Sequence, residues 1–176
     1  RIDDILIYQA NPVISVSAST LTGFNYEYLI GPSTEQSFTI SGADLQNGIS
    51  IDAPTNYEIS TDTGAAFVAT DPITLSQAKG SIPETTIYVR LKSGLAIGAY
   101  SNELITASSI SATDKTVSCS GTVSTPPAPA APVSTAASIV GSDSFTANWN
   151  SVVGATGYYL DVYTKNTGTF ATDLII

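Results

Sequence analysis

Histidine is absent from the 176 residues, and with it go the commonest general base and metal ligand of proteins. Cysteine occurs once, at Cys119, which excludes an intrachain disulfide and any zinc site built on paired thiolates. Charge is scarce at 12%, and Lys and Arg number only 6 against 15 Asp and Glu. The net charge of −9 and the scatter of the few bases argue against nucleic acid as a partner, because phosphate binding needs clustered cations to displace counterions. An acidic membrane surface is disfavoured for the same reason. No apolar run approaches the ~18 residues of a membrane span, and no secretory leader pattern is present. Methionine is missing as well, and the sequence opens on Arg1. That reads as a piece of a longer polypeptide whose export signal and anchor lie elsewhere.

What is present is apolar and hydroxyl-rich. Hydrophobic residues make up 43%, enough for a packed core, and Ser and Thr crowd the polar positions. No segment sustains a 3.6-residue period, and β-branched residues are dense throughout, which predicts an all-β chain. The clearest strand is Thr85 to Lys92, where Ile87, Val89 and Leu91 alternate with Tyr88, Arg90 and Lys92. The first set belongs to the core, while Arg90 and Lys92 face solvent. A turn between Gly94 and Gly98 leads into a second strand from Tyr100 to Thr106, and the two read as neighbours in the middle of a β-sandwich. Further strands follow at sandwich spacing. Their inward residues are Ile14 and Val16, Phe38 and Ile40, Ile49 and Ile51, Tyr57 and Ile59, Ile73 and Leu75, then Val117, Cys119 and Val123.

Punctuation divides the chain. Residues 1–10 form an apolar strand with Asp3 and Asp4 at its start, closed by Asn11-Pro12. The two acids are solvated strand-end residues, too few for a calcium site that needs about six or more oxygens. Residues 11–124 form the sandwich. Residues 125–134 hold Pro126, Pro127, Pro129 and Pro132 among alanines, a semi-rigid extended linker. Residues 135–176 begin a second β domain, with strands predicted at Ser144–Trp149 and Gly157–Thr164.

Several of these segments resemble known modules. Ser144 to Trp149 followed by Ala155 to Tyr163 is similar to the front half of a fibronectin type III domain, whose strand-borne Trp packs under a Tyr of the next strand. Trp149 and Tyr158 match those positions. The region from Pro12 to Val123 resembles an immunoglobulin-like module repeated in large secreted and cell-surface bacterial proteins. Leu21-Thr22-Gly23-Phe24, Gly31-Pro32-Ser33, Tyr57-Glu58-Ile59-Ser60, Gly98-Ala99-Tyr100 and Ser120-Gly121-Thr122-Val123 carry that resemblance. Residues 1–10 resemble the last strand of the jelly-roll domains that precede such modules. The resemblances imply an all-β fold: an immunoglobulin-like β-sandwich plus a partial, fibronectin type III-like second sandwich. Modules of this kind accompany secreted nucleases, glycosidases, proteases and adhesins alike, so the resemblance carries a scaffold and no particular chemistry.

Candidate sites are few. Tyr26, Tyr28 and Tyr88 are the candidate ligand-binding residues, planar rings able to stack on sugar faces if exposed as one patch. The alternative is that Phe24 plugs the core while the tyrosines cover a sheet edge. Tyr100, at the head of its strand, fits a tyrosine corner whose hydroxyl bonds nearby backbone. Glu58 with Asp62, or Glu84 with Glu103, has the composition of a glycosidase pair, but such pairs need a cleft and these acids read as solvated surface. Cys119 reads as core. No catalytic residue, metal ligand or cofactor is assigned.

The resulting expectation is a non-catalytic spacer and interaction module of an exported bacterial multidomain protein, extracellular or at the cell surface, partnered by its neighbouring domains. The alternatives are a carbohydrate-binding or adhesion module facing polysaccharide or cell-surface glycan, and an accessory region of a secreted hydrolase whose catalytic domain lies outside these residues.

Overall fold

The computed structural model describes residues 11–162. The strand expected within residues 1–10, with Asp3 and Asp4, lies outside them. Among the described residues there is no helix, and the chain divides into two compact units, residues 1–126 and 127–176.

The described residues of the first unit form a β-sandwich of nine strands. They are β1 (Val13–Val16), β2 (Thr20–Glu27), β3 (Gln36–Ala43), β4 (Ile49–Asp52), β5 (Tyr57–Ser60), β6 (Ile73–Leu75), β7 (Ile82–Leu91), β8 (Gly98–Ser108) and β9 (Lys115–Ser124). One sheet has the order β1-β3-β7-β5 and the other β2-β9-β8-β4-β6. The opening run of chain serves both: β1 pairs antiparallel with β3, and then, past Ser17–Ser19, β2 pairs parallel with β9 in the opposite sheet. This strand switch and the two facing sheets give the immunoglobulin-like architecture.

The core is the meeting of the two inner faces. Ile14, Phe38, Ile40, Tyr57, Ile59, Ile87, Val89 and Leu91 come from one sheet and Phe24, Ile49, Ile51, Ile105, Val117, Cys119 and Val123 from the other. Alternation therefore located the inward side of nearly every strand, because a strand's side chains repeat every two residues. At the centre, Phe24 meets Tyr57 edge to face, with centroids 5.3 Å apart and planes at 76°, a favoured aromatic geometry. Room for Phe24 comes from irregularities on two strands and a glycine on a third. β2 shifts register between Thr22 and Phe24, β8 shifts between Tyr100 and Glu103, and both are paired with Gly121 of β9. A Cβ on Gly121 would collide with the Phe24 carbonyl oxygen, so only glycine lets the strands approach there.

Two expectations are corrected here. The strands Ile82–Leu91 and Gly98–Ser108 are not neighbours; β7 pairs with β3 and β5, and β8 with β9 and β4, in opposite sheets. The loop Lys92–Ile97 between them is too long for a tight hairpin turn and long enough to cross the ~10 Å between sheets. Thr20–Glu27, to which no strand is assigned from the sequence, is a full strand.

The second unit contains β10 (Ser134–Ser138) antiparallel to β11 (Thr146–Trp149). β11 fits the strand read from sequence, and Trp149 packs against Tyr158 with centroids 5.4 Å apart, the contact expected of that pair. Strand β10 was not foreseen, since its residues Ser134-Thr135-Ala136-Ala137-Ser138 carry no alternation of large side chains. Residues 157–162 are irregular rather than the predicted strand, and the remainder of that prediction lies outside the described residues.

Candidate functional site

The three tyrosines proposed as a sugar platform fall in three different settings. Tyr26 lies on the inner side of β2 and is 9% exposed. Its hydroxyl donates to the Lys92 carbonyl at 2.6 Å and accepts from the Leu95 N–H at 3.4 Å. Burial pushes its pKa up, against the opposing effect of the Leu95 bond. The loop closes on this ring because residue 31 is glycine: a Cβ there would lie 2.6 Å from the phenol. Tyr26 is therefore a clamp between the β2–β3 and β7–β8 loops, with no free ring face for a ligand. Tyr28 follows β2, its N–H donating to the Ser124 carbonyl at 2.9 Å, and is 36% exposed beside the exposed Leu29 and Ile30. Tyr88 is half-buried on the outer face of the other sheet, opposite Ser37 and Ser60. The structure does not bring the three together.

The remaining phenols are structural. Tyr100 donates to the Ala96 carbonyl four residues upstream at 2.8 Å, which is the tyrosine corner anticipated from its place after Gly98-Ala99. The fully buried Tyr57 donates to the Tyr100 carbonyl at 2.7 Å. Desolvation drives its pKa far above the usual tyrosine value, with smaller repulsion from Cys119 and Glu103. Cys119 is buried on β9, and burial, helped by the Glu103 carboxylate, pushes its thiol up to about 12. A thiol held protonated in this way is a core side chain and not a nucleophile.

The acids have partners that the sequence did not reveal. Glu58 forms an ion pair with Arg90 directly across the β5–β7 ladder. The Arg90 guanidinium stacks 3.8 Å above the Phe67 ring centroid, a cation–π contact. Arg90 is thus half-buried and pinned on both sides, not free in solvent. Glu103 accepts from the Asn56 backbone N–H at 3.0 Å and from Asn56 Nδ2 at 2.7 Å, fixing the β4–β5 connection against β8. Glu35 accepts from the Thr63 hydroxyl and from the Gly64 N–H at 3.1 Å, and these bonds, Thr63 first, hold its carboxyl below the usual range. Of the acids weighed and set aside as glycosidase pairs, Glu58 faces Arg90 and Glu103 faces Asn56. Glu58 and Glu103 are therefore tied structural acids and not solvated surface. No group of three or more Cys, Asp or Glu side chains suited to a metal occurs among the described residues.

The outer face of the β1-β3-β7-β5 sheet is the most feature-rich surface. Tyr88 and Arg90 alternate along β7, Glu58 flanks Arg90, and Phe67 covers it from the β5–β6 connection. Phe67 escaped sequence reasoning because Gly64-Ala65-Ala66-Phe67 carries no strand alternation. On the opposite sheet a shallow, open depression of about 400 Å³ is lined by Asn47, Gly48, Ser50, Ser108, Ser109 and Ile110, hydroxyls with one exposed aliphatic.

No family model and no curated protein matches the chain. Solved structures similar to it include the following three. A family 123 glycoside hydrolase from Clostridium perfringens, described for glycolipid glycan hydrolysis, shares 10% identity over 65% of this chain with a TM-score of 0.41. This chain spans only 28% of that enzyme. The PapD-like domain 7 of human CEP192 shares 7% identity over 72% of this chain and 98% of its own, with a TM-score of 0.42. The CooA pilin subunit of enterotoxigenic Escherichia coli shares 11% identity over 65% of this chain and 99% of its own, with a TM-score of 0.39. The chain is an all-β protein with an immunoglobulin-like β-sandwich, and that conclusion rests on its own strand order and register.

Proposed function

We propose that this chain is a non-catalytic structural and interaction module of an exported bacterial multidomain protein, acting as a spacer outside the cell and partnered by its neighbouring domains. The observation that carries this reading is the position of the two chain ends of the first unit. The chain comes in at Val13 beside Ala43, where β3 ends, and leaves at Ser124 beside Glu27, at the other end of the sheets. The proline-rich stretch beyond, which begins at Pro126, extends the chain as a semi-rigid segment. The tied phenols and carboxylates support the same reading, because groups that could do chemistry are spent on fixing loops. The second unit, with Trp149 on Tyr158, is read as the front of a fibronectin type III-like domain. Single-molecule energy transfer between dyes at Asn11→Cys and Thr125→Cys tests the spacer. One narrow distance, unchanged by salt, is expected, and a broad or salt-dependent distribution would refute it.

A carbohydrate-binding reading is favoured by a separate observation: Tyr88 and the Arg90–Phe67 stack share one outer face, and planar side chains in a row suit sugar rings. This reading centres the site on Tyr88 and excludes Tyr26. Affinity electrophoresis in a polysaccharide panel tests it, with retardation abolished by Tyr88→Ala and Phe67→Ala. Retardation unchanged in both variants removes that face from consideration.

A further inference from the structure

We infer that the first unit is a shear clamp: tension drawn through the chain is resisted by the parallel β2–β9 ladder loaded along its length. The inference deepens the spacer reading and rests on it. Its basis is topological. Val13 lies beside Ala43 and Gly42 beside Ile82, so the chain arrives at the pole where β3 ends and β7 begins. β7 runs from there to Leu91, and the loop after it delivers Gly98 beside Val123, at the pole where β9 ends. Pulling on the two ends of the unit therefore draws β1 and β2 toward one pole and β9 toward the other.

Because β2 and β9 run parallel, these opposed pulls lie along the strands and across their hydrogen bonds. The ladder holds seven register pairs from Thr20↔Ser118 to Glu27↔Ser124. It is extended at both ends by Ser118 N–H donating to Ser19 O and Tyr28 N–H donating to Ser124 O, each at 2.9 Å. No pair can open first, since each bond resists the same sliding motion. The antiparallel β1–β3 ladder of four pairs is loaded in the same sense and lies ahead of it in the force path. Antiparallel terminal strands leaving from one pole would instead unzip, one pair at a time. Phe24 adds a second resistance: its ring is fully buried against Tyr57 while its backbone sits against Gly121, so β2 slides only by withdrawing an aromatic plug from the core.

Force spectroscopy on the full 176-residue chain tests this with two attachment geometries. With handles at both chain ends, a discrete rupture is expected that releases the residues between Val13 and Ser124, on the order of 400 Å of contour at the extended length per residue. With one handle at the N-terminus and the other on a thiol at Asp114→Cys, in the β8–β9 loop at the incoming pole, β2 and β9 are peeled apart from one end. Rupture force is then expected to fall several-fold. The buried Cys119 does not compete for the handle, and Thr113→Cys serves if the first variant loses its native melting transition. Equal forces in the two geometries, or no discrete rupture end to end, overturn the clamp. Either result leaves the spacer reading to its own distance measurement.

Discussion

Alkaline pH acts on this fold through two groups that face each other's surroundings in the core. The Cys119 thiol has an ordinary value of 9.0 and is raised to about 12 by burial, and Tyr57 is raised above its ordinary 10.0 by the same cause. Both are neutral when protonated, so a raised value means that the unfolded chain loses the proton first. Stability is complete below the unfolded values and falls as pH climbs from there toward the folded ones. At about 1.4 kcal/mol per unit, the thiol removes about 3 kcal/mol between about pH 8 and about pH 11, and Tyr57 removes about a further 1 kcal/mol over the last unit. That is a large part of the ~5–15 kcal/mol that holds a domain folded. Urea unfolding followed by circular dichroism measures it, because the one tryptophan, Trp149, sits in the other unit and is silent on this one. In Cys119→Ala a void costs about 1 kcal/mol at every pH, but the pH-dependent loss shrinks, so the two stability curves converge and then cross between about pH 9 and about pH 10, with the variant the more stable above that. Curves that stay parallel from about pH 8 to about pH 11 would refute the argument that the thiol is held protonated by burial.

Three further outcomes follow from the packing. Gly121→Ala drives a methyl into the Phe24 backbone and is expected to lower stability by about 3 kcal/mol, in the range of core overpacking, read as a shifted urea midpoint. Tyr57→Phe leaves the Tyr100 carbonyl without its donor and is expected to cost ~1–3 kcal/mol, a fall in Tm of several degrees, whereas Tyr100→Phe frees a more exposed partner and costs less. Glu35→Gln weakens the hold on Thr63 and Gly64, and hydrogen exchange at Gly64 is expected to quicken while the amides of Ile59 and Val68, which bond each other, keep their protection.

Most of the sandwich was legible because its strands obey the period-two rule. Ile87, Val89 and Leu91 are each fully buried, as their alternation required. What alternation cannot supply is which sheet a strand joins: β7 and β8 follow one another in sequence yet pair with different partners, and only loop length distinguishes a turn from a crossing. Thr20–Glu27 misled for a related reason. Gly23, at φ +87°, sits in a register shift of β2, so the pattern of Leu21, Phe24 and Tyr26 breaks in mid-strand and Tyr26 reads as an exposed ring. The loop-fixing contacts of Glu35, Glu58 and Glu103 join residues from 28 to 47 positions apart, Phe67 meets Arg90 across a similar gap, and single-sequence reasoning has no signal for such pairs. Tyr100 was readable, since its partner Ala96 lies only four residues away.

That the chain departs from the pole opposite its arrival makes reach a quantity that can be edited by copying. A ten-residue strand such as β9 spans about 33 Å, so duplicating such a unit adds roughly that length to an array, and deleting one removes it. Selection acting on distance would then operate through gene duplication and loss, leaving the interior of each copy free to drift within the limits of its core.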